Sequence, residues 1–242
     1  MYDIKFMSCR TLPGTDIFFQ DDRTVAVDPF SERSVDGRYI GFGIGLLGTT
    51  PTFTGITSFT PGLYTTPANC VYIEVYAIGG GGGGASGDFL SSRRNGGGGG
   101  AGGVAVGFFP AGTYAYSVGN PGSGGPIGSA GFTGGPTTFD ILTGGGGAAG
   151  LKWSAGVTIA AAAGTATNSL FPLGCTSATP PGLLGGNGGA SYVKGYSGRG
   201  SVSNAVDIAG TGGSTGGGGS GGCGTEAGGS GGRGHILIIE YY

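Results

Sequence analysis

The stretch Val71-Tyr72-Ile73-Glu74-Val75-Tyr76-Ala77-Ile78 runs without a break into six glycines at 79–84. Its alternation places Val71, Ile73, Val75 and Ala77 on one face, which predicts a β-strand with one buried side. The glycines that follow have no side chain to bury, and they form neither a helix nor a packed strand cheaply. A strand that leads directly into a glycine run is therefore the unit from which we expect this fold to be built.

Glycine runs alternate with bulky segments through the rest of the chain. Of the 63 glycines, 55 lie in residues 79–242, with the longest runs at 79–84, 96–100, 144–147 and 216–219. A collagen triple helix is excluded because the glycines come in blocks without a Gly-X-Y period. Disorder is the simpler alternative, but 13 Phe, 11 Tyr and a net charge of -2 do not fit the composition of unfolded chains.

Glycine runs that fold can adopt the polyproline II conformation, with three residues per turn and about 3.1 Å rise per residue. Such a rod has no internal hydrogen bonds, so its N–H and C=O groups must pair with neighbouring rods or with water. Only glycine lets backbones approach closely enough for this lateral packing. We therefore expect short rods packed side by side, with the intervening segments turning the chain at the ends of the bundle.

The remaining β patterns are short. Strands are predicted at 24–27, 39–44 and 236–241, and at Leu63-Tyr64 between turn residues. A hairpin is predicted over 104–118, turning at Phe109-Pro110-Ala111-Gly112, with Tyr114 and Tyr116 on one face. Only Ala160 to Ala163 looks helical, and Gly156 and Gly164 bracket it. The prediction is an all-β protein with almost no helix: an N-terminal β module at 1–55 and a glycine-rich β domain with polyglycine rods at 56–242.

Enzyme motifs have no support. Gly-x-Ser-x-Gly occurs at 212–216, 218–222 and 228–232, but a nucleophile elbow needs a strand before the serine and a helix after it. The runs match Gly-x-Gly-x-x-Gly many times, yet no Lys-Ser/Thr follows to make a phosphate loop. The single histidine, His235, is expected at the surface or at a sheet edge. We expect no catalytic residues, no cofactor and no metal.

Cys9, Cys70, Cys175 and Cys223 are far apart and include no Cys-x-x-Cys pair, which argues against a zinc or redox site. Free thiols are expected in a cytosolic product, and disulfides formed late on a particle are the alternative. The first ten residues contain no apolar core, so we expect no secretory signal, and no segment is long enough to insert into a membrane.

Nucleic acid is not an expected partner. Residues 79–242 contain six basic and five acidic side chains, too few positive charges to neutralise a phosphate backbone.

Several segments occur in a recognisable order. They are Pro61-Gly62-Leu63-Tyr64, the strand and glycines at 71–84, Pro110-Ala111-Gly112-Thr113-Tyr114, Gly134-Gly135-Pro136-Thr137-Thr138-Phe139, and the closing Gly234-His235-Ile236-Leu237-Ile238-Ile239-Glu240-Tyr241. Over residues 56–242 this order resembles the glycine-rich domain common in bacteriophage tail fibre and virion proteins. The alternation is also similar to the glycine-rich adhesins at the tips of long tail fibres of T-even-like phages.

The resemblance implies a non-enzymatic virion protein, made in the host cytoplasm, that displays its glycine-rich domain for host attachment. Its N-terminal region would bind other virion proteins, and its receptor would be a host surface glycan or an outer-membrane protein. A homo-oligomer, with a trimer favoured, is expected because outer rods and strand edges need covering. A capsid decoration or head-fibre protein with the same domain is the alternative. An ice-binding bundle is more distant, since it would need a secretory signal and evenly spaced Thr or Ala.

Receptor contacts must come from the segments between the runs, because glycine offers only backbone. The candidate residues are Phe89, Arg93 and Arg94 in the loop 88–94, Trp153 and Phe171 near Leu173, and Tyr192 and Tyr196 at either end of a turn. Aromatic and arginine side chains most often carry binding energy, and adjacent arginines suit phosphate or carboxylate groups of a glycan. The alternative for Trp153 and Phe171 is that they fill a small core beneath the rods.

Overall fold

The chain divides into two compact units, Met1–Thr50 and Pro51–Tyr242. The structure is a computed structural model that describes residues 52–87, 95–152, 160–170, 173, 177–178, 186, 188–190 and 209–242, together with short strands elsewhere. In the first unit these are β1 (Met7–Leu12), β2 (Thr15–Phe19), β3 (Glu32–Arg33) and β4 (Tyr39–Ile40). β1 pairs with β2 and β3 with β4, both antiparallel. The strand predicted at 24–27 lies outside the described residues.

The second unit contains two main antiparallel sheets. Its strands are β5 (Thr52–Ile56), β6 (Gly62–Thr65), β7 (Tyr72–Ile78), β8 (Val104–Pro110), β9 (Thr113–Ser117), β10 (Thr137–Phe139), β11 (Leu142–Gly144), β12 (Ala166–Thr167), β13 (Ser191–Val193), β14 (Tyr196–Gly198) and β15 (His235–Tyr241). One sheet has the order β5-β15-β7-β8, the other β12-β11-β10-β9-β6, and β13 pairs with β14. The described residues contain no helix, and the predicted all-β fold is confirmed.

The main core lies between these two sheets. Ile73 and Val75 of β7 and Ile236 of β15 pack against Phe139 of β10. Tyr114 and Tyr116 of β9 both pack against this cluster, as their predicted shared face requires. The inward-facing side chains of both sheets, which alternate with outward-facing ones along each strand, therefore fill the space between the sheets.

The other face of the four-stranded sheet is buried as well. Its apolar residues form a second cluster: Tyr76, Ile78, Val104, Val106, Leu237 and Ile239. The buried carboxylate of Glu74 accepts hydrogen bonds from the hydroxyls of Tyr76 and Tyr241 on this face. The prediction of one buried face was therefore incomplete. Val71, assigned to the strand, precedes it and is 53% exposed.

The hairpin predicted over 104–118 was wrong. Both strands exist, but β8 pairs with β7 and β9 pairs with β6 and β10, so the chain crosses from one sheet to the other. At the crossing, the N–H of Ala111 donates to Val71 and the carbonyl of Gly112 accepts from Thr66. These bonds to other segments replace the ladder that a hairpin would have formed.

His235 also departs from expectation. It opens β15, an inner strand between β5 and β7, and it is half-buried. Burial, together with the nearby charge of Arg233, lowers its pKa, which favours the neutral imidazole.

Candidate functional site

The run that follows β7, residues 79–87, donates its backbone N–H groups in a cycle of three. Gly79, Gly80 and Gly81 donate to the carbonyls of Gly103, Gly135 and Gly232 at 2.9, 2.9 and 2.8 Å. The next six acceptors repeat the cycle on the same three neighbours: Gly100, Phe132, Gly229, Gly97, Ser129 and Glu226. Because the partner recurs at every third residue, this central rod has three residues per turn, as in polyproline II.

The carbonyls of the central rod follow the same rule with three other neighbours. Those of Gly80, Gly81 and Gly82 accept from the N–H groups of Gly147, Gly122 and Gly219. The next three accept from Gly150, Gly125 and Gly222. The central rod is therefore bonded to six surrounding segments.

Those six segments form a closed ring. In order around the central rod they are 95–103, 144–150, 129–135, 119–125, 226–232 and 216–222. Each is hydrogen-bonded to the next, through Gly100 to Ala148, Gly134 to Gly147, Gly135 to Asn120, Gly231 to Gly122, Gly232 to Gly217 and Gly99 to Gly219, donor first, at 2.7–3.0 Å. Chain direction alternates around the ring. The predicted pairing of rods with neighbouring rods is confirmed, and the arrangement is hexagonal.

Close approach explains why these segments are glycine. A β-carbon on Gly83 would lie 1.9 Å from the carbonyl oxygen of Ser123, which belongs to the backbone of a ring rod. Backbone hydrogen bonds fix both segments, so neither can move aside. A side chain at residues 79–84 of the central rod is therefore sterically excluded, and Ala85 and Ser86 near its end are the first side chains that the ring accommodates.

The rods continue the strands of both sheets. The central rod follows β7, and the rods 95–103 and 226–232 lead into β8 and β15. From the other sheet, 119–125 follows β9, 129–135 precedes β10 and 144–150 follows β11. The sandwich therefore stands at one end of the bundle, where the turn at 214–217 also lies, and the turns at 126–130 and 223–225 lie at the other end, here called the tip.

Contacts between rod ends define the tip. The N–H of Gly87 donates to Glu226, and Lys152 Nζ donates to the carbonyl of Gly128, at 3.0 and 3.4 Å. Asn95 accepts a hydrogen bond from Gly224. The segments 88–94 and 153–159 lie outside the described residues, but Gly87, Asn95 and Lys152, which border them, all lie at the tip.

Five of the predicted receptor residues, Phe89, Arg93, Arg94, Trp153 and Phe171, lie outside the described residues. Phe171 follows Leu170, whose N–H donates to Val106 of β8 at the sheet end of the unit. Leu173 packs against the second core cluster and is a core residue.

Tyr192 and Tyr196 lie on β13 and β14, where Val193 pairs with Tyr196. β13 contacts β8, which is a strand of the four-stranded sheet. The strands that carry Tyr192 and Tyr196 therefore lie at the sheet end of the unit and not at the tip.

Sequence reasoning missed several tip residues. Ile127 on the turn at 126–130 and Leu151 at the end of the rod 144–150 are large exposed apolar side chains at the tip, whereas the exposed Phe132 lies on the ring rod 129–135. Gly128 has a φ of 77°, a conformation that glycine adopts without strain, and it closes the turn that begins after Pro126. The sequence Pro126-Ile127-Gly128 could have predicted this turn, because Pro and Gly commonly mark turns.

Within the part of the chain that the structure describes, Cys70 and Cys223 are buried, and the Cys70 thiol lies 3.4 Å from the carbonyl oxygen of Tyr72. No group of three or more potential metal ligands occurs among these residues. The same residues include no helix with the length and apolar character needed to cross a membrane.

Comparison with known proteins identifies one family. The family model described as "Glycine-rich domain" matches residues 57–242, which include every rod and all strands of the two main sheets except β5. No curated protein matches the chain.

Proposed function

The chain belongs to the glycine-rich domain family, and we propose that it is a structural protein of a bacteriophage virion, a tail-fibre, spike or adhesin-type component that attaches to the host surface. One observation carries this proposal: the closed ring of rods separates a sandwich at one end from a set of turns at the other. A rigid spacer with an anchored base and an exposed tip suits a protein that must reach a surface.

The rigidity has a defined source. Every N–H from Gly79 to Gly87 is hydrogen-bonded to a neighbouring segment, so the central rod cannot bend without breaking bonds on several sides. Glycine alone would give a flexible chain, and the ring removes that freedom. The tip is therefore held at a fixed distance from the sheets.

The tip supplies the contact surface in this proposal. Its described residues include exposed apolar side chains at Ile127 and Leu151 and one cation at Lys152. The loop 88–94 joins the central rod to a ring rod and adds Phe89, Arg93 and Arg94. Apolar and basic groups together suit a host outer-membrane protein or an anionic surface glycan.

Attachment to the particle is assigned to the N-terminal region, through other virion proteins, and the assembled state is a homo-oligomer, a trimer in the simplest case. The protein acts without cofactor, metal or enzymatic activity, and neither nucleic acid nor a membrane is a partner.

Mass spectrometry of purified virions, followed by antibody labelling in electron micrographs, tests the assignment. We expect the chain in the particle, with the label on a tail fibre or spike. Label on the head would favour a capsid decoration or head-fibre protein. Absence from purified virions would contradict every virion role.

A further inference from the structure

Two buried polar side chains stand at the ends of the rods that border segment 88–94. Ser86, near the end of the central rod, is 1% exposed, and Asn95, at the start of the next rod, is 3% exposed. Most contacts in the bundle are made by backbone groups. Polar side chains buried at the tip therefore call for an explanation of their own.

Ser86 reaches the turn at 126–130. Its N–H donates to the carbonyl of Ser129 at 3.0 Å, and its Oγ accepts from the N–H of Ser129 at 2.9 Å. Its hydroxyl also lies 3.2 Å from the Ser129 carbonyl oxygen. The Ser86 side chain thus adds a second hydrogen bond between Ser86 and Ser129, which the backbone of the rod already joins.

Asn95 reaches the turn at 223–225. Its Oδ1 accepts from the N–H of Gly224 at 3.3 Å. Gly224 has a φ of 59°, so this turn leaves the rod conformation and does not follow the three-residue cycle. A side-chain acceptor satisfies an N–H that the turn directs away from the lattice.

We propose that Ser86 and Asn95 are positioning residues that lock the turns at 126–130 and 223–225 to the two rods bordering segment 88–94, so that the tip presents one rigid surface. This inference rests on the proposed attachment function only for its biological purpose. Backbone hydrogen bonds fix the positions of the rods, and these two side chains fix the positions of the turns. Neither side chain needs to touch the receptor.

Amide hydrogen exchange of the full chain tests the locking. In Asn95→Ala the Gly224 amide should exchange roughly three- to tenfold faster, as expected for the loss of one buried hydrogen bond. In Ser86→Ala the Ser129 amide keeps its bond to the Pro126 carbonyl and should exchange roughly two- to threefold faster. The amide of Gly82 in the central rod reports on the fold and should keep its protection. Ser123→Ala, which removes an exposed hydroxyl from a ring rod, is the matched control and should change neither turn.

Unchanged exchange at both turns in folded variants would overturn the proposal. Adsorption of particles carrying each variant gives a separate readout, and we expect it to fall in Ser86→Ala and Asn95→Ala. Faster exchange with undiminished adsorption would uphold the positioning role and contradict attachment through the tip.

Discussion

The carbonyl oxygen of Gly217 lies 2.0 Å from the position that a β-carbon would occupy on Gly81. Neither group can retreat, because Gly81 donates to Gly232 and Gly232 donates to Gly217, at 2.8 and 2.7 Å. The backbones of the three residues lie against one another, held by these two hydrogen bonds and by the close approach of Gly217 to Gly81. This arrangement leaves no room for a methyl group.

Gly81→Ala should therefore destabilise the second unit by about 3 kcal/mol or more, a large share of the stability of a typical domain. Gly212→Ala is the matched control, since its β-carbon would meet only the carbonyl oxygen of Ser230 at 3.6 Å. We expect that change to alter stability by less than about 1 kcal/mol. Thermal melts of the two variants measure the difference, and equal melting temperatures would contradict the packing argument.

Glu240 should make stability depend on pH. Its carboxylate accepts hydrogen bonds from Thr52, Tyr64, Tyr242 and Thr54 at 2.6, 2.7, 2.8 and 3.0 Å. Burial by itself would raise the pKa of Glu240, but these four donors outweigh it and hold the pKa below the usual 4.5. The carboxylate thus stabilises the fold above pH 4.5, and this contribution is lost as the pH falls through the lower, folded-state pKa.

Glu240→Gln should cost about 2 kcal/mol near neutral pH, because an amide cannot accept from all four donors. It should also flatten the dependence of stability on pH in the acid range. Urea unfolding of both proteins at several pH values measures this. A parallel loss of stability in the variant would show that other carboxylates are responsible.

Thr137 should be essential to the junction between rods and sheets. It is fully buried, and its Oγ1 accepts from the N–H of Gly119 at 2.9 Å, where the rod 119–125 begins. Thr137→Val keeps the shape and leaves that N–H without its acceptor, so we expect a loss of about 1–3 kcal/mol. Thr137→Ser keeps the hydroxyl and should lose less. The order of the two melting temperatures is the test.

Replacing Phe89, Arg93 and Arg94 together by alanine should reduce adsorption to host cells while folding and particle incorporation stay normal. The reason is that this segment follows the central rod and precedes the rod 95–103 in the sequence, and it carries an aromatic and two arginine side chains, the types that most often supply binding energy. Leu63→Ala, an exposed apolar residue on β6 among the sheets, is the control and should adsorb normally. Full adsorption by correctly assembled triple-mutant particles would remove the loop from consideration.

The isolated chain should sediment as a trimer, at about three times its mass of 23.3 kDa. Among the described strands, β5 and β6 are sheet edges, and a neighbouring copy would cover the backbone groups on their outer sides. Sedimentation equilibrium over a range of concentrations measures this. A stable monomer with a cooperative melt would be evidence against obligate assembly.

Local pattern was sufficient to predict several elements. Alternation located β7, an apolar run located β15, and the glycine blocks indicated laterally paired rods, because each of these signals is contained in a few consecutive residues. The hairpin at 104–118 failed for a related reason. Its turn residues were read correctly, but the partner of β8 is β7, and a turn does not reveal which strand lies alongside.

The hexagonal ring could not be predicted from the sequence. Its contacts join backbone groups, such as Gly82 to Gly100 and Gly84 to Gly229, which carry no side-chain identity to read. Ser86 and Asn95 were missed for the opposite reason. They are ordinary polar residues whose burial depends on turns brought to the tip from distant parts of the chain.

The backbone-only construction of the rods has a consequence for how the gene can change. A glycine codon tolerates any base at its third position, whereas every substitution at its first or second position specifies a side chain or a stop. At rod glycines such as Gly81 and Gly83 such a change meets a neighbouring carbonyl, while an exposed turn residue such as Ile127 faces solvent. Mutation should therefore be silent or damaging at the rod glycines and at the positive-φ turn glycines Gly128 and Gly224, whereas the exposed side chains of the turns are free to change, so that a population varies its contact surface and inherits an unaltered support.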